Sequence, residues 1–219
     1  MTRPLLVAGT LLMLVGVAWA LLAAPTEVIQ GIPQRIMYIH VPSVITAYGA
    51  LAVVFVGSVL FLWKRDDRWD RLAHGAAELA VLFISMTLVS GAIWGKPVWG
   101  TWWTWDARLT TTLILWFIYM GYLAVRAWAP GVRGARAAAV IGIIGVLDIP
   151  LIHWSAILLR TLHPQPTVFR PEGPALPASM LLPLLVNVLA FVLVFAALLA
   201  IRVRQEQALA RLIEALEEA

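Results

Sequence analysis

The chain contains no cysteine. Disulfides, thiolate metal sites and cysteine nucleophiles are therefore excluded. Charge is scarce as well: Asp, Glu, Lys and Arg make up 13% of the 219 residues, against about 25% in a soluble domain. No glycine-rich loop of the phosphate-cradling kind is present, so no nucleotide is expected on this chain. No Ser or Thr stands beside His and an acid in a recognisable nucleophile motif. The apolar runs carry few ionisable residues, whereas ion-coupled transport usually leaves several. The net charge of +4 is spread over short loops, with no basic run dense enough for nucleic acid.

What is abundant is apolar surface. Hydrophobic residues make up 62% of the chain, and the mean hydropathy is +0.88. An all-α integral membrane protein with a single six-helix domain is expected. Six runs are long enough to span, or nearly so: about 4–24, 43–63, 75–94, 109–128, 137–152 and 179–201. A cleavable signal peptide competes for the first run, because Leu22-Ala23-Ala24 is small and apolar. The run exceeds a usual signal core, so a retained span is expected. Pro25, Gly31, Pro33 and Pro42 mark 25–42 as a loop. The fifth run is short and carries Asp148 and Pro150 near its end, as a bent helix end would. The 153–178 loop holds five prolines.

Lys and Arg set the orientation. One side of a six-span bundle carries Arg3, Lys64, Arg65, Arg68, Arg71, Arg126, Arg133, Arg136, Arg202, Arg204 and Arg211, eleven in all. The other carries Arg35, Lys96, Arg108, Arg160 and Arg170. The positive-inside rule places both termini in the cytoplasm. Residues 202–219 read as a cytoplasmic amphipathic tail, with Leu209, Leu212, Ile213 and Leu216 at i, i+3, i+4 and i+7. Such a tail lies on the membrane or bundle, or docks a cytosolic partner.

Between the third and fourth runs lies Trp94–Thr110, WGKPVWGTWWTWDARLT, on the outer side. It holds five of the chain's eleven tryptophans. Tryptophan favours membrane interfaces, but an aromatic belt scatters one or two rings per helix end. If Pro97 starts a short helix, then Trp99, Trp102, Trp103 and Asp106 share one face. A broad aromatic face suits a broad, flat, aromatic ligand.

Two histidines stand at matching outer positions: His40 at the entrance of the second span and His153 at the exit of the fifth. Each alone reads as an interfacial polar group. Together, beside the tryptophans and without a thiolate or carboxylate cluster, they point to bis-His ligation of haem iron. Zinc would want more protein ligands than this face offers. Arg35 and Arg108 are candidates for the haem propionates or a partner, with interfacial snorkelling as the plainer role. His163 is on the same side, in a long loop, and is a weaker ligand candidate. His74 is on the opposite side, placed to pair with Glu78 within its helix. Asp148 offers a hydrogen bond to an imidazole or a cap for broken backbone; a polar group at a bent helix end is the plainer reading. Asp106 is set to pair with Arg108 or to meet a partner's donor.

The pattern WGxxxWGxWWxWDxRLT resembles the tryptophan-rich "WWD" signature of the haem-handling family of cytochrome c biogenesis. YIHVPS around His40 and PLIHWS around His153 resemble that family's flanking histidines, and the six-span length matches its short branch (CcmC type). The resemblance covers about residues 30–200. It implies that His40 and His153 are axial ligands to one non-covalent haem b at the outer (periplasmic) face of the bacterial inner membrane. It implies that Trp99, Trp102, Trp103, Trp105 and Asp106 hold the haem edge and receive a haem chaperone (CcmE type). Arg35 and Arg108 then fall where propionate or chaperone contacts are expected. A small membrane subunit (CcmD type) and ATP-binding-cassette subunits (CcmA and CcmB type) are the implied further partners. The chain would deliver haem for export without being a stand-alone catalyst. The alternative is a bis-His b-type electron carrier of a quinone-linked oxidoreductase. Such a carrier would stack its histidines inside the spans. A haem-exporting channel would need a pathway of polar residues that is not visible.

Overall fold

The computed structural model describes residues 2–217, apart from 130, 160, 164–167, 169 and 171–172. Arg160 and prolines 164, 166 and 171 of the long loop, like the last two tail residues, lie outside the described residues. The described chain is all-α: α1 (Thr2–Leu22), a 3-10 turn (Ile32–Ile36) running into α2 (Met37–Lys64), α3 (Asp67–Trp99), α4 (Ala107–Trp128), α5 (Gly131–Val146), α6 (Asp148–Leu158) and α7 (Ala178–Glu217). Six helical stretches are long and apolar enough to cross a membrane, with α5 and α6 together making one of them.

Two helices run further than their prolines suggest. Pro42 and Pro97 both lie inside helices, in α2 and α3. Each removes a single i→i−4 bond, a loss that a packed membrane helix tolerates. Residues 37–42 are therefore helix rather than loop, and His40 sits a turn inside α2. Likewise Pro97 does not start a helix. α3 passes through it to Trp99 and stops at Gly100, which takes a left-handed conformation (φ 79°) and sends its N–H back to the Lys96 carbonyl. Residues 101–106 form a short non-helical link. The one-face arrangement of Trp99, Trp102, Trp103 and Asp106 is consequently not formed.

Local chemistry fixes the other ends. Arg65, left-handed at φ 55°, closes α2. Asp66 caps α3 by accepting the Arg68 N–H. α5 breaks at Leu147, and Pro150 occupies the first turn of α6, where a missing N–H costs little. α7 is continuous from Ala178 to Glu217 despite Pro183, whose carbonyl accepts from Asn187 at 2.8 Å.

α2 is central, packed on α3, α5 and α7, while α1 lies along α7 and α4 bridges α3, α5 and α6. Small residues allow these approaches: Ala47, Ala50, Ala76, Ala77, Ala80 and Ala138 are all buried in one cluster with Phe83, Tyr119 and Tyr122. That is how apolar helices gain van der Waals contact where water supplies no driving force. The arginine-rich end is tied by ion pairs. Arg126 grips Asp70 with two bonds, at 3.0 and 3.2 Å. Arg202 bonds Glu78 and, at 2.8 Å, Glu206. His74 sits 3.7 Å from Glu78, as its i,i+4 spacing suggests, and 3.3 Å from Glu206. Beyond them the tail continues α7, and Leu209, Leu212, Ile213 and Leu216 are all exposed. It does not fold back on the bundle.

Candidate functional site: a two-histidine cavity at the tryptophan end

A cavity opens between α2, α3, α4 and α6 at the tryptophan end. Trp94, Trp99, Trp103, Gln30, Arg108 and His163 surround its upper part, and His40 lines its wall. It then continues inward along Val44, Ala47, Tyr48, Ile84, Leu88, Leu115 and Ile152. Ala47 is seven residues below His40 on α2, a drop of roughly 10 Å. The site is thus a deep apolar slot with a polar mouth, not a shallow shelf.

α3 builds the seat for His40. Ser90, Gly91 and Trp94 are one helical turn, presented toward α2. The His40 Nδ1 lies 3.0 Å from the Ser90 hydroxyl. A Cβ on Gly91 would come within 3.1 Å of the His40 Cε1, so any larger residue there would push the ring back by a few tenths of an ångström. The Trp94 ring meets the imidazole edge-on at 5.7 Å. Its own N–H donates to the Gln30 side chain at 2.9 Å, which ties the outer loop to α3.

Opposite, Arg108 in the first turn of α4 reaches His163 at 3.1 Å between its NH1 and the ring Nδ1. Trp99 packs on His163 at 6.5 Å between centroids. His163 and Arg108 both act electrostatically on His40. The Trp103 N–H is buried and has no partner among the described residues. An orphan donor on a cavity wall is a place for an acceptor on a ligand.

The sequence-derived candidates divide into two groups. His40, Trp99, Trp103 and Arg108 line the cavity. His153, Trp102, Trp105, Asp106 and Arg35 do not. His153 and Trp154 are exposed on α6. The inward face of that helix is Asp148, Ile152 and Ser155, all buried, at i, i+4 and i+7. His153 therefore points away, and the second imidazole of the cavity comes from His163. Trp102 and Trp105 are 57% and 76% exposed, and Trp105 packs edge-on against Trp103 at 5.7 Å. Asp106 caps α4: its carboxylate accepts the Leu109 N–H at 2.9 Å. Arg35 turns to the end of α1 and donates to the carbonyls of Leu21 and Ala24, the latter at 3.2 Å. It satisfies orphan carbonyls of that helix and lines a separate apolar groove with Leu21, Ile36 and Ile93.

The profile of the family described as heme exporter protein C (CcmC) matches residues 1–217. The chain belongs to the heme exporter protein C family. It is 40% identical over 205 residues to heme exporter protein C of Haemophilus influenzae, covering 93% of this chain and 83% of that protein. It is 36% identical over 201 residues to the protein of that name in Escherichia coli K12, covering 91% and 81%. A ccmC-like mitochondrial protein of Marchantia polymorpha, named for cytochrome c biosynthesis, is 36% identical over 180 residues, covering 78% and 76%.

The donor set of this family member suits a macrocycle that brings its own equatorial ligands. Among the described residues there is no group of three or more His, Asp or Glu able to hold a bare metal ion. Two imidazoles, an arginine and an indole N–H without a partner among the described residues, around an apolar slot, are the kind of donors and walls that a flat apolar ring with an iron and carboxylates would need. Sequence reasoning missed Gln30, Ser90 and Gly91, and it ranked His163 below His153. The missed signal for His163 was the helical period of α6, which turns position 153 outward.

Proposed function

We propose that this protein holds haem b in the cavity through His40 and His163 and presents it at the outer membrane face to a periplasmic haem chaperone during c-type cytochrome maturation. The observation that carries the reading is the presence of two imidazoles on one tryptophan-walled cavity. Haem would supply the iron for the two imidazoles and two propionates for the donors around them. His40 is the seated ligand, locked between α3 and α2. His163 comes from the loop after α6, and Arg108 and the Trp103 N–H would hold the carboxylates. The Arg108 bond to His163 Nδ1 has to be released for His163 to ligate in the usual way, which frees the guanidinium for a propionate at the same moment.

Trp102 and Trp105, exposed beside the mouth, are the surface offered to the chaperone (CcmE type). A single membrane domain in the inner membrane is proposed, with both termini cytoplasmic, alongside a small membrane subunit (CcmD type) and ATP-binding-cassette subunits (CcmA and CcmB type). In this arrangement the chain handles and transfers haem, ligating its iron but forming no covalent bond to the porphyrin. An electron carrier would keep its histidines inside the spans. His40 does lie inside α2, so that criterion no longer separates the readings, and the family membership favours export.

Visible spectra of the purified protein test the ligand pair. His40→Ala and His163→Ala are expected to lose the low-spin spectrum or turn it high-spin, while His153→Ala keeps it. Loss in His153→Ala with retention in His163→Ala would restore the other pairing. Retention in both His40→Ala and His163→Ala would remove the cavity as the haem site.

A further inference from the structure

His40 carries one proton when neutral, and only the bare ring nitrogen can bind a metal. Nδ1 faces the Ser90 hydroxyl at 3.0 Å. That hydroxyl has a single hydrogen, and the Met86 carbonyl takes it at 2.6 Å, with the Thr87 carbonyl at 3.3 Å as the second acceptor. This back-bond to the preceding turn is the usual resting place of a serine proton in a membrane helix. The hydroxyl oxygen is therefore left facing His40 as an acceptor.

From this we propose that Ser90 is a positioning residue: it holds the proton of His40 on Nδ1 and leaves Nε2 bare toward the cavity. The inference rests on the reading of His40 as a haem ligand. Gly91 completes the device, since its missing Cβ lets the ring come close enough for the bond, and Trp94 blocks the ring edge at 5.7 Å. The chain Met86 carbonyl, Ser90 hydroxyl, His40 imidazole runs from the α3 backbone to the ligand atom. Such outer partners set both the orientation and the basicity of a ligating imidazole. The same bond makes His40 a stronger electron donor and favours ferric over ferrous iron. His163 contrasts with it: its Nδ1 faces Arg108, which can only donate. The two imidazoles are thus unequal: His40 is preorganised for ligation, whereas His163 would have to exchange its Arg108 bond to ligate.

The test has two readouts. In the haem-free full chain, nitrogen NMR of labelled histidine reports the tautomer of His40, assigned by its loss in His40→Ala. The wild type is expected to show the Nδ1–H form, Ser90→Ala a mixture with the Nε2–H form, and Ser90→Thr the wild-type form. In the haem-loaded protein, Ser90→Ala is expected to raise the midpoint potential and weaken haem retention on the order of 10- to 100-fold, with Ser90→Thr restoring both. An Nε2–H signal in the wild type overturns the proposal. So does a Ser90→Ala variant with wild-type tautomer, potential and retention. If His40→Ala itself keeps a low-spin haem, the ligand reading fails, and the tautomer readout still decides whether Ser90 sets the proton.

Discussion

A buried donor with no acceptor costs about 1–3 kcal/mol, and Trp103 carries one on the cavity wall. With no acceptor among the described residues, this N–H is a cost that a carboxylate bound in the cavity would relieve. Trp103→Phe keeps the aromatic wall and deletes the N–H. The haem-free variant is expected to melt at or slightly above the wild-type temperature, while haem is held roughly tenfold more weakly. A variant that melts lower and keeps haem as tightly as wild type would show that the indole serves packing alone. Trp99 and Trp103 were legible in the sequence as site residues because indoles crowd there beyond the needs of an interface belt. Their separation from Trp102 and Trp105 was not legible. It depends on Gly100 ending α3, after which the link to α4 sends alternate rings inward and outward. Histidines show the same division. His40 could be read because its sequence lies beside a span start. His163 lies ten residues past His153 in a proline-rich loop, and only the fold brings it back over the cavity.

Helix identity follows from run length, so the elements themselves were readable before any coordinates. Their ends and contacts were less so. Pro42 and Pro97 look like boundaries, yet one lost backbone bond does not stop a helix whose other i→i−4 bonds are kept on either side of it. Contact between helices is set at small residues. α5 approaches α4 at Gly145, where a Cβ would lie 2.8 Å from the Tyr119 ring and 2.9 Å from the Ile118 side chain. Just above it the Tyr119 hydroxyl donates to the Gly142 carbonyl at 2.9 Å. Gly145→Val must push the Tyr119 ring and the Ile118 side chain away, and the overpacking is expected to cost about 1–3 kcal/mol. Gly49, on α2, has nothing within 4 Å of the same position. Gly49→Ala is expected to be neutral or to stabilise by about 0.5–1 kcal/mol. Thermal unfolding in detergent compares the two. Equal melting temperatures would mean that α4 and α5 do not pack as closely as described.

At the scale of the molecule the bundle is polarised. One end is locked by the Arg126–Asp70 and Arg202–Glu78–Glu206 bridges. The other is open, aromatic and carries the cavity. Presentation to a periplasmic partner requires that the open end face outward, which the eleven cations against five support. The absence of cysteine makes this directly measurable, because a single introduced thiol has no background. Val28 is 97% exposed at the tip of the loop after α1, and Leu216 is 69% exposed near the end of the tail. Each is replaced by cysteine in turn and treated with a membrane-impermeant maleimide. Val28→Cys is expected to react in spheroplasts with an intact inner membrane, whereas Leu216→Cys reacts only once that membrane is opened. The reverse pattern would put the cavity in the cytoplasm. His40 and His163 would then sit at the entry side of the membrane, and the protein would load haem from within instead of offering it outside.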